Sequence, residues 1–177
     1  LGEIRKEITE TEPLIRYADL LTFNIAALKS LEAPAQDDPS PSGLFSEEAC
    51  QLCRYAGLSD RLTSIGFYGY HHEKDAQLQT AKTIAQLIWY FMEGVKNRKK
   101  DYPISSQGLI EYIVENKNRD HQIHFWKSNK SGRWWLEVPL KGKGKRTEMV
   151  PCSYEDYKAA CQDEMTSRLT RAFQKLA

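Results

Sequence analysis

The sequence predicts an α/β fold: a layered parallel sheet with helices, followed by a small α+β appendage. Three observations carry this prediction. The apolar run "ADLLTFNI" (18–25) is too short for a helix of its own and suits a strand of a parallel sheet covered on both faces. A second run, "RLTSIGFYGY" (61–70), follows an intervening helical pattern and leads into another, giving the strand, loop, helix rhythm of a layered parallel sheet. After "KDYPISS" the pattern changes to short strands joined by turn-forming residues. The boundary falls near Pro103, with 1–103 as the α/β part and 104–177 as the appendage. The chain has no internal repeat.

Each element has its own signals. Residues 3–18 read as a helix that Pro13 interrupts or restarts. The strand at 18–25 runs into "SLEAPAQDDPSPSGLF", whose prolines and small polar residues make a long loop. Ser46 caps a helix to about Ala56, with Gly57 as C-cap. The strand at 61–70 and the polar loop "HHEKDAQ" precede the helix "QTAKTIAQLIWYFMEGVKNR". Ala81, Ile84, Ala85, Ile88 and Phe91 share one face of it, and Trp89, Tyr90 and Met92 add apolar surface, so burial on more than one side is expected. In the appendage, "LIEYIVEN", "HQIHFWKS" and "GRWWLEVPL" read as antiparallel strands, the last two joined by a turn at Asn129–Gly132. "KGKGKR" is a basic, glycine-spaced loop. Ser153 caps a helix with Asp156 three residues on, and "TSRLTRAFQKL" is the last helix.

Composition narrows the function classes. With 177 residues the chain can bury a core without staples. Lys and Arg number 25 against 24 Asp and Glu, a net charge of +1, so net charge implies no polyanion partner. No apolar run approaches a membrane span, and the charged start "LGEIRKEITE" is not a signal peptide. A cytoplasmic, reducing setting fits the four cysteines. Cys50 and Cys53 form a CxxC without a second pair, on a helical pattern where small buried residues are the simpler reading than a redox or metal site. The chain opens on Leu1, which leads us to expect a longer parent chain.

Three constellations carry chemistry, and each has a plainer reading. His71, His72, Glu73 and Asp75 in "YHHEKD" offer metal ligands or proton carriers after a strand. Adjacent histidines on extended chain point to opposite sides, however, and a solvated loop with Asp75 capping the next helix explains the same residues. His121 and His124 fall on opposite faces of a strand, which argues against a shared metal. Trp126, Lys127, Lys130, Arg133, Trp134 and Trp135, with the basic loop, suggest an interaction surface that could stack bases. Alternating aromatics on an antiparallel sheet are more often its packing face, so nucleic-acid binding is the lesser reading. The chain carries no GxSxG, P-loop, GxGxxG or HExxH.

Taken together, "DLLTFNIAALKSLEAP", "PSPSGLFSEEACQLCRYAGLSD" and "IGFYGYHHEKDAQLQTAKTIAQLIWYFMEG" resemble the C-terminal half of the ureohydrolases, the family of arginases, agmatinases and formimidoylglutamases. The resemblance covers about residues 1–100. "FWKSNKSGRWWLEVP" and "MVPCSYEDYKAAC" look like the tail on a bacterial branch of arginase-like proteins. The resemblance implies a three-layer α/β/α fold and hydrolysis of a guanidino or formimino carbon by a hydroxide on a manganese pair. In the family two of the ligands come from a Ser-Phe-Asp-x-Asp strand end, and a glutamate follows the next strand. Here those places fall on Asn24, Ala26 and about Gly69, and no Asp-x-His-x-Asp occurs. The resemblance therefore implies a degenerate, non-catalytic binding or assembly module with no cofactor. The alternative is an active ureohydrolase with a manganese pair completed from outside these residues, using His71, His72 and Glu73. Implied partners are the N-terminal half of the same domain or another chain, in a homo-oligomer or larger assembly, with no membrane.

Overall fold

The computed structural model describes residues 2–115, 122–142 and 146–176. They divide into two compact units, Leu1–Lys100 and Asp101–Ala177. In the first, helix α1 (Gly2–Lys6) and helix α2 (Glu12–Arg16) flank a 3-10 turn at Ile8–Thr11. The single helix expected over 3–18 is thus two short ones. Pro13 sits in the first turn of α2, where its missing N–H costs no helical hydrogen bond.

Strands β1 (Leu20–Asn24) and β2 (Ser64–Tyr68) pair in parallel, with Asn24 opposite Tyr68. Phe23 points into a core with Ile25, Leu28, Cys50, Cys53 and Leu87, against which Ile65 and Phe67 also pack. The other face, Leu20, Thr22 and Asn24, is exposed. The expectation of burial on both faces therefore fails among the described residues. The cause is visible in β1 itself: Thr22 and Asn24 alternate with Leu21 and Phe23, the pattern of a strand with one wet face.

Helices α3 (Ser46–Leu58) and α4 (Gln79–Lys96) contribute to the core that this sheet packs on. Ser46 is the first residue of α3 rather than its cap. The capping contact comes from Glu48, whose carboxylate accepts the Phe45 N–H at 2.8 Å. Gly57 does not end α3, which continues through Leu58. It marks instead the closest approach to α4, where an added Cβ would lie 2.1 Å from the Phe91 carbonyl oxygen. Gly94 plays the reciprocal part against Arg54 and Leu58. Of the face expected from apolar periodicity, Ile84 and Phe91 pack against the core. Thr80, Thr83, Leu87 and Gly94 are buried, whereas Ala85 and Ile88 are exposed. Apolar residues surround most of α4, so periodicity alone could not choose, and the small residues that permit close packing did. An apolar strip at Ile88, Trp89 and Met92 is left facing outward.

The second unit is an antiparallel meander of β3 (Leu109–Glu115), β4 (Gln122–Ser128), β5 (Trp134–Pro139) and β6 (Thr147–Cys152). Helix α5 (Tyr154–Cys161) and helix α6 (Ser167–Leu176) follow it. Its core holds Val114, Ile123, Phe125, Trp134, Leu136, Val138, Val150 and Cys152 from the sheet, with Ala160, Leu169 and Ala172 from the helices. Strand β6 is not among the strands expected from sequence, and it carries Pro151. As the end of the strand order it tolerates the missing donor. Ser153 caps α5 as expected: its hydroxyl accepts the Asp156 N–H at 3.2 Å, and Asp156 accepts the Ser153 N–H at 2.9 Å.

Candidate functional site

In a parallel α/β sheet the C-terminal strand ends are where groups converge. At the end of β1 the Asn24 side chain turns back on its own backbone. Its Oδ1 accepts the Ala26 N–H at 2.9 Å and closes the 3-10 turn Ile25–Ala27. Gly69 follows β2 in a left-handed conformation, φ +79°, and a Cβ there would stand 2.7 Å from Asn24 Oδ1. Asn24 and Gly69 thus fit each other, and glycine is required at 69 for both its backbone and its contact. Ala26 sits exposed in the turn. These positions offer one amide oxygen already in use, a methyl group and a bare backbone. That donor set does not fit a pair of divalent cations, which needs several anionic oxygens to hold two like charges close together.

The loop after β2 does not gather its ligands. His71 Nε2 lies 2.9 Å from Asp37, and the His71 backbone N–H donates to the Ala35 carbonyl at 3.0 Å, which ties this loop to the one after β1. Lys74 reaches the same Asp37 at 3.3 Å. Hydrogen bonds from Lys74 and then His71 hold the Asp37 carboxyl below its ordinary value. His72 and Glu73 face solvent, 3.3 Å from each other. His71, His72 and Glu73 therefore do not share a centre. Asp75 is buried and caps α4, accepting the Thr80 and Ala81 N–H groups at 3.1 and 2.8 Å and the Tyr70 hydroxyl at 3.2 Å. Burial alone would raise its pKa, but these donors outweigh burial and hold it below the ordinary value. Burial, together with this carboxylate, pushes the Tyr70 hydroxyl up.

The cysteines of the CxxC are packing residues. Burial, then the neighbouring Cys50, pushes the Cys53 thiol up to about 12, and burial and Glu47 push Cys50 up. Neither is a ready thiolate near neutral pH. Outside them, a groove of about 600 Å³ runs between α3 and α4, lined by Cys50, Arg54, Tyr55, Trp89 and Tyr90 among others.

The six residues of the expected interaction surface are not one platform. Trp134 is buried against Tyr157, ring centroids 4.7 Å apart, and Trp135 is buried with Tyr102 at 6.3 Å. They are neighbours along β5 and point to opposite faces. Lys127 lies over Trp134 at 5.3 Å. Trp134 belongs to the core of the second unit, whereas Trp126 is half-buried. His121 and the centre of the basic loop lie outside the described residues. His124 has companions that sequence spacing could not reveal: Glu111 Oε1 lies 2.7 Å from its Nδ1, and Glu137 stands opposite it on β5. Only strand register joins residues so far apart in the chain.

No protein-family model matches the chain, and no curated protein matches it. Solved structures do. Formiminoglutamase from Trypanosoma cruzi, solved with manganese, superposes with a TM-score of 0.50 at 19% identity, covering 55% of this chain and 35% of that one. Formimidoylglutamase from Bacillus subtilis gives the same score and identity, covering 55% of this chain and 33% of that one. Arginase from Bacillus caldovelox gives a TM-score of 0.46 at 19% identity over 51% of this chain and 33% of that one. The likeness shows the fold, a partial arginase-like α/β domain, and the chain spans about a third of the length of these structures.

Proposed function

We propose that this chain is a ureohydrolase-like module whose metal-holding positions have become neutral, and that it works by binding and assembly rather than hydrolysis. The observation that supports this reading is the Asn24–Gly69 contact. The strand end is closed by an amide and a glycine that need each other, and Ala26 beside them has nothing to donate. Neither Asn24 nor Ala26 offers an anionic oxygen, and a metal pair needs several to hold two like charges close together. In this reading the open face of β1 and β2 is completed by the rest of a ureohydrolase-like domain, in the same or another chain. The exposed strip of α4 then joins a second copy, since a self-complementary patch is the usual basis of a symmetric dimer.

The test is manganese bound per chain after dialysis against excess metal, with urea and formamide release measured on guanidino and formimino substrates. Absence of bound manganese at the strand ends and no turnover are expected. Two ions per chain with turnover would replace this reading by that of an active amidine hydrolase. A stable monomer of 20.4 kDa by light scattering would remove the assembly part.

A further inference from the structure

We infer that Glu111, His124 and Glu137 form a binding site for one late first-row divalent cation of the zinc class, on the outer face of the appendage sheet. The three residues lie on three consecutive strands, β3, β4 and β5. Register brings them together. His124 is directly opposite Glu137, and on its other side it is opposite Ile113, two residues along from Glu111. A diagonal neighbour at that offset is within reach of a glutamate side chain. One ligand atom from each residue lies within 4.8 Å of the other two.

Those spacings suit coordination. Zinc binds imidazole nitrogen and carboxylate oxygen at about 2.0–2.2 Å, so in its tetrahedral geometry two ligands stand about 3.4 Å apart. The side chains need close by no more than about 1.4 Å, which a small rotamer change of a glutamate supplies. Glu111 Oε1 and His124 Nδ1 stand 2.7 Å apart in a hydrogen bond that the ion would replace. Glu137 is oriented from outside the trio: the Trp126 indole N–H donates to its Oε2 at 2.7 Å. This is the kind of outer partner that fixes a metal-binding carboxylate and leaves its other oxygen for the ion. Two carboxylates and one imidazole match a divalent charge, and the imidazole favours zinc, nickel, cobalt or copper over calcium and magnesium. Glu111 is exposed and the other two are half-buried, so water fills the remaining positions. The site is built on paired strands rather than loops, which holds its geometry without the ion.

Zinc titration of the full chain by calorimetry tests this. One ion per chain is expected at micromolar affinity or better, with a rise in Tm because the ion binds the folded sheet. His124→Ala and Glu137→Gln should each weaken binding at least tenfold, and Trp126→Phe by a smaller factor. His72→Ala, at the exposed His72–Glu73 pair, should leave it unchanged. No saturable binding by the wild type up to about 1 mM would overturn the site, as would undiminished binding by a folded His124→Ala variant. If His124→Ala fails to fold, the wild-type His124 ring resonances decide. They should shift on zinc addition, and no shift overturns the site. The result is independent of manganese at the strand ends, which His124→Ala does not touch.

Discussion

Gly57→Ala puts the close approach of α3 and α4 at risk in a way whose sign is informative. In the interior of a helix, replacing glycine by alanine should stabilise by about 1 kcal/mol, because alanine loses less backbone freedom on folding. At Gly57 the new Cβ would lie 2.1 Å from the Phe91 carbonyl oxygen, 2.9 Å from its carbon and 3.0 Å from Gly94 Cα. These are backbone atoms of α4, so no side chain can swing away. Carbon contacts settle at about 3.5–4.0 Å, so the two helices must separate by roughly 1 Å. Overpacking of this kind costs about 1–3 kcal/mol, and a clash with rigid backbone belongs at the upper end. The net effect is a loss of about 2 kcal/mol, or roughly 8–16 °C in Tm for a unit of this size. Gly94→Ala should lose stability for the same reason, its Cβ meeting the Arg54 carbonyl oxygen at 2.5 Å and the Leu58 nitrogen at 2.8 Å. The double variant should fall short of the sum, because one separation of the helices relieves both clashes. Thermal and urea unfolding followed by circular dichroism measure all three. A Gly57→Ala protein as stable as wild type, or more stable, would refute the packing described for α3 and α4.

Asp75→Asn should lower the Tm at neutral pH, because α4 loses its charged cap. The Asp75 carboxyl is held below its ordinary 3.8, so its contribution is present above that value and is lost as pH falls through the lower folded one. The wild type should therefore weaken in acid more steeply than the variant, and parallel pH profiles of Tm would contradict this. Alkylation of the native chain near pH 8, read by mass spectrometry, should label exposed Cys161 first and leave buried Cys53 untouched until unfolding. Trp134→Ala should cost about 3–5 kcal/mol, as a buried indole stacked on Tyr157 is removed. A loss under 1 kcal/mol in denaturant titration would show that Trp134 is not core.

What the sequence made legible followed from local chemistry. Ser153 and Asp156 announce a helix start because both halves of the capping exchange lie within four residues. The tight turn after Ser128 is legible from Gly132, which takes φ +73° there. The apolar runs at 18–25 and 61–70 announce parallel strands by length and composition. What stayed hidden depends on register and rotation. The buried side of α4 was set by Gly57 and Gly94, two residues that carry no hydrophobic signal. The Glu111–His124–Glu137 cluster spans 26 residues of chain and exists only because two strand pairings align. At the β1 end, the empty ligand positions Asn24 and Ala26 were visible in sequence through the resemblance. That Asn24 would find Gly69 was not, since their contact crosses the sheet.

The two uncovered surfaces of the first unit are not equivalent, and this sets the order in which an assembly should fail. The open sheet face carries Leu20, Thr22 and Asn24 on β1 and Ser64, Gly66 and Tyr68 on β2, which is mostly polar. It is also partly self-shielded, because the Tyr68 ring folds over Gly66, where a Cβ would meet it at 2.7–3.0 Å. The α4 strip has no such cover: Ile88, Trp89 and Met92 are 41%, 59% and 62% exposed, within about one turn of a helix. Apolar surface grouped in this way carries the larger drive to associate. If the assembly reading holds, Met92→Lys should shift the chain towards monomer in light scattering, whereas Thr22→Lys should shift it less. Neither change removes core, so each should alter monomer stability by no more than about 0.5 kcal/mol. The reverse order would move the contact between copies from α4 to the sheet.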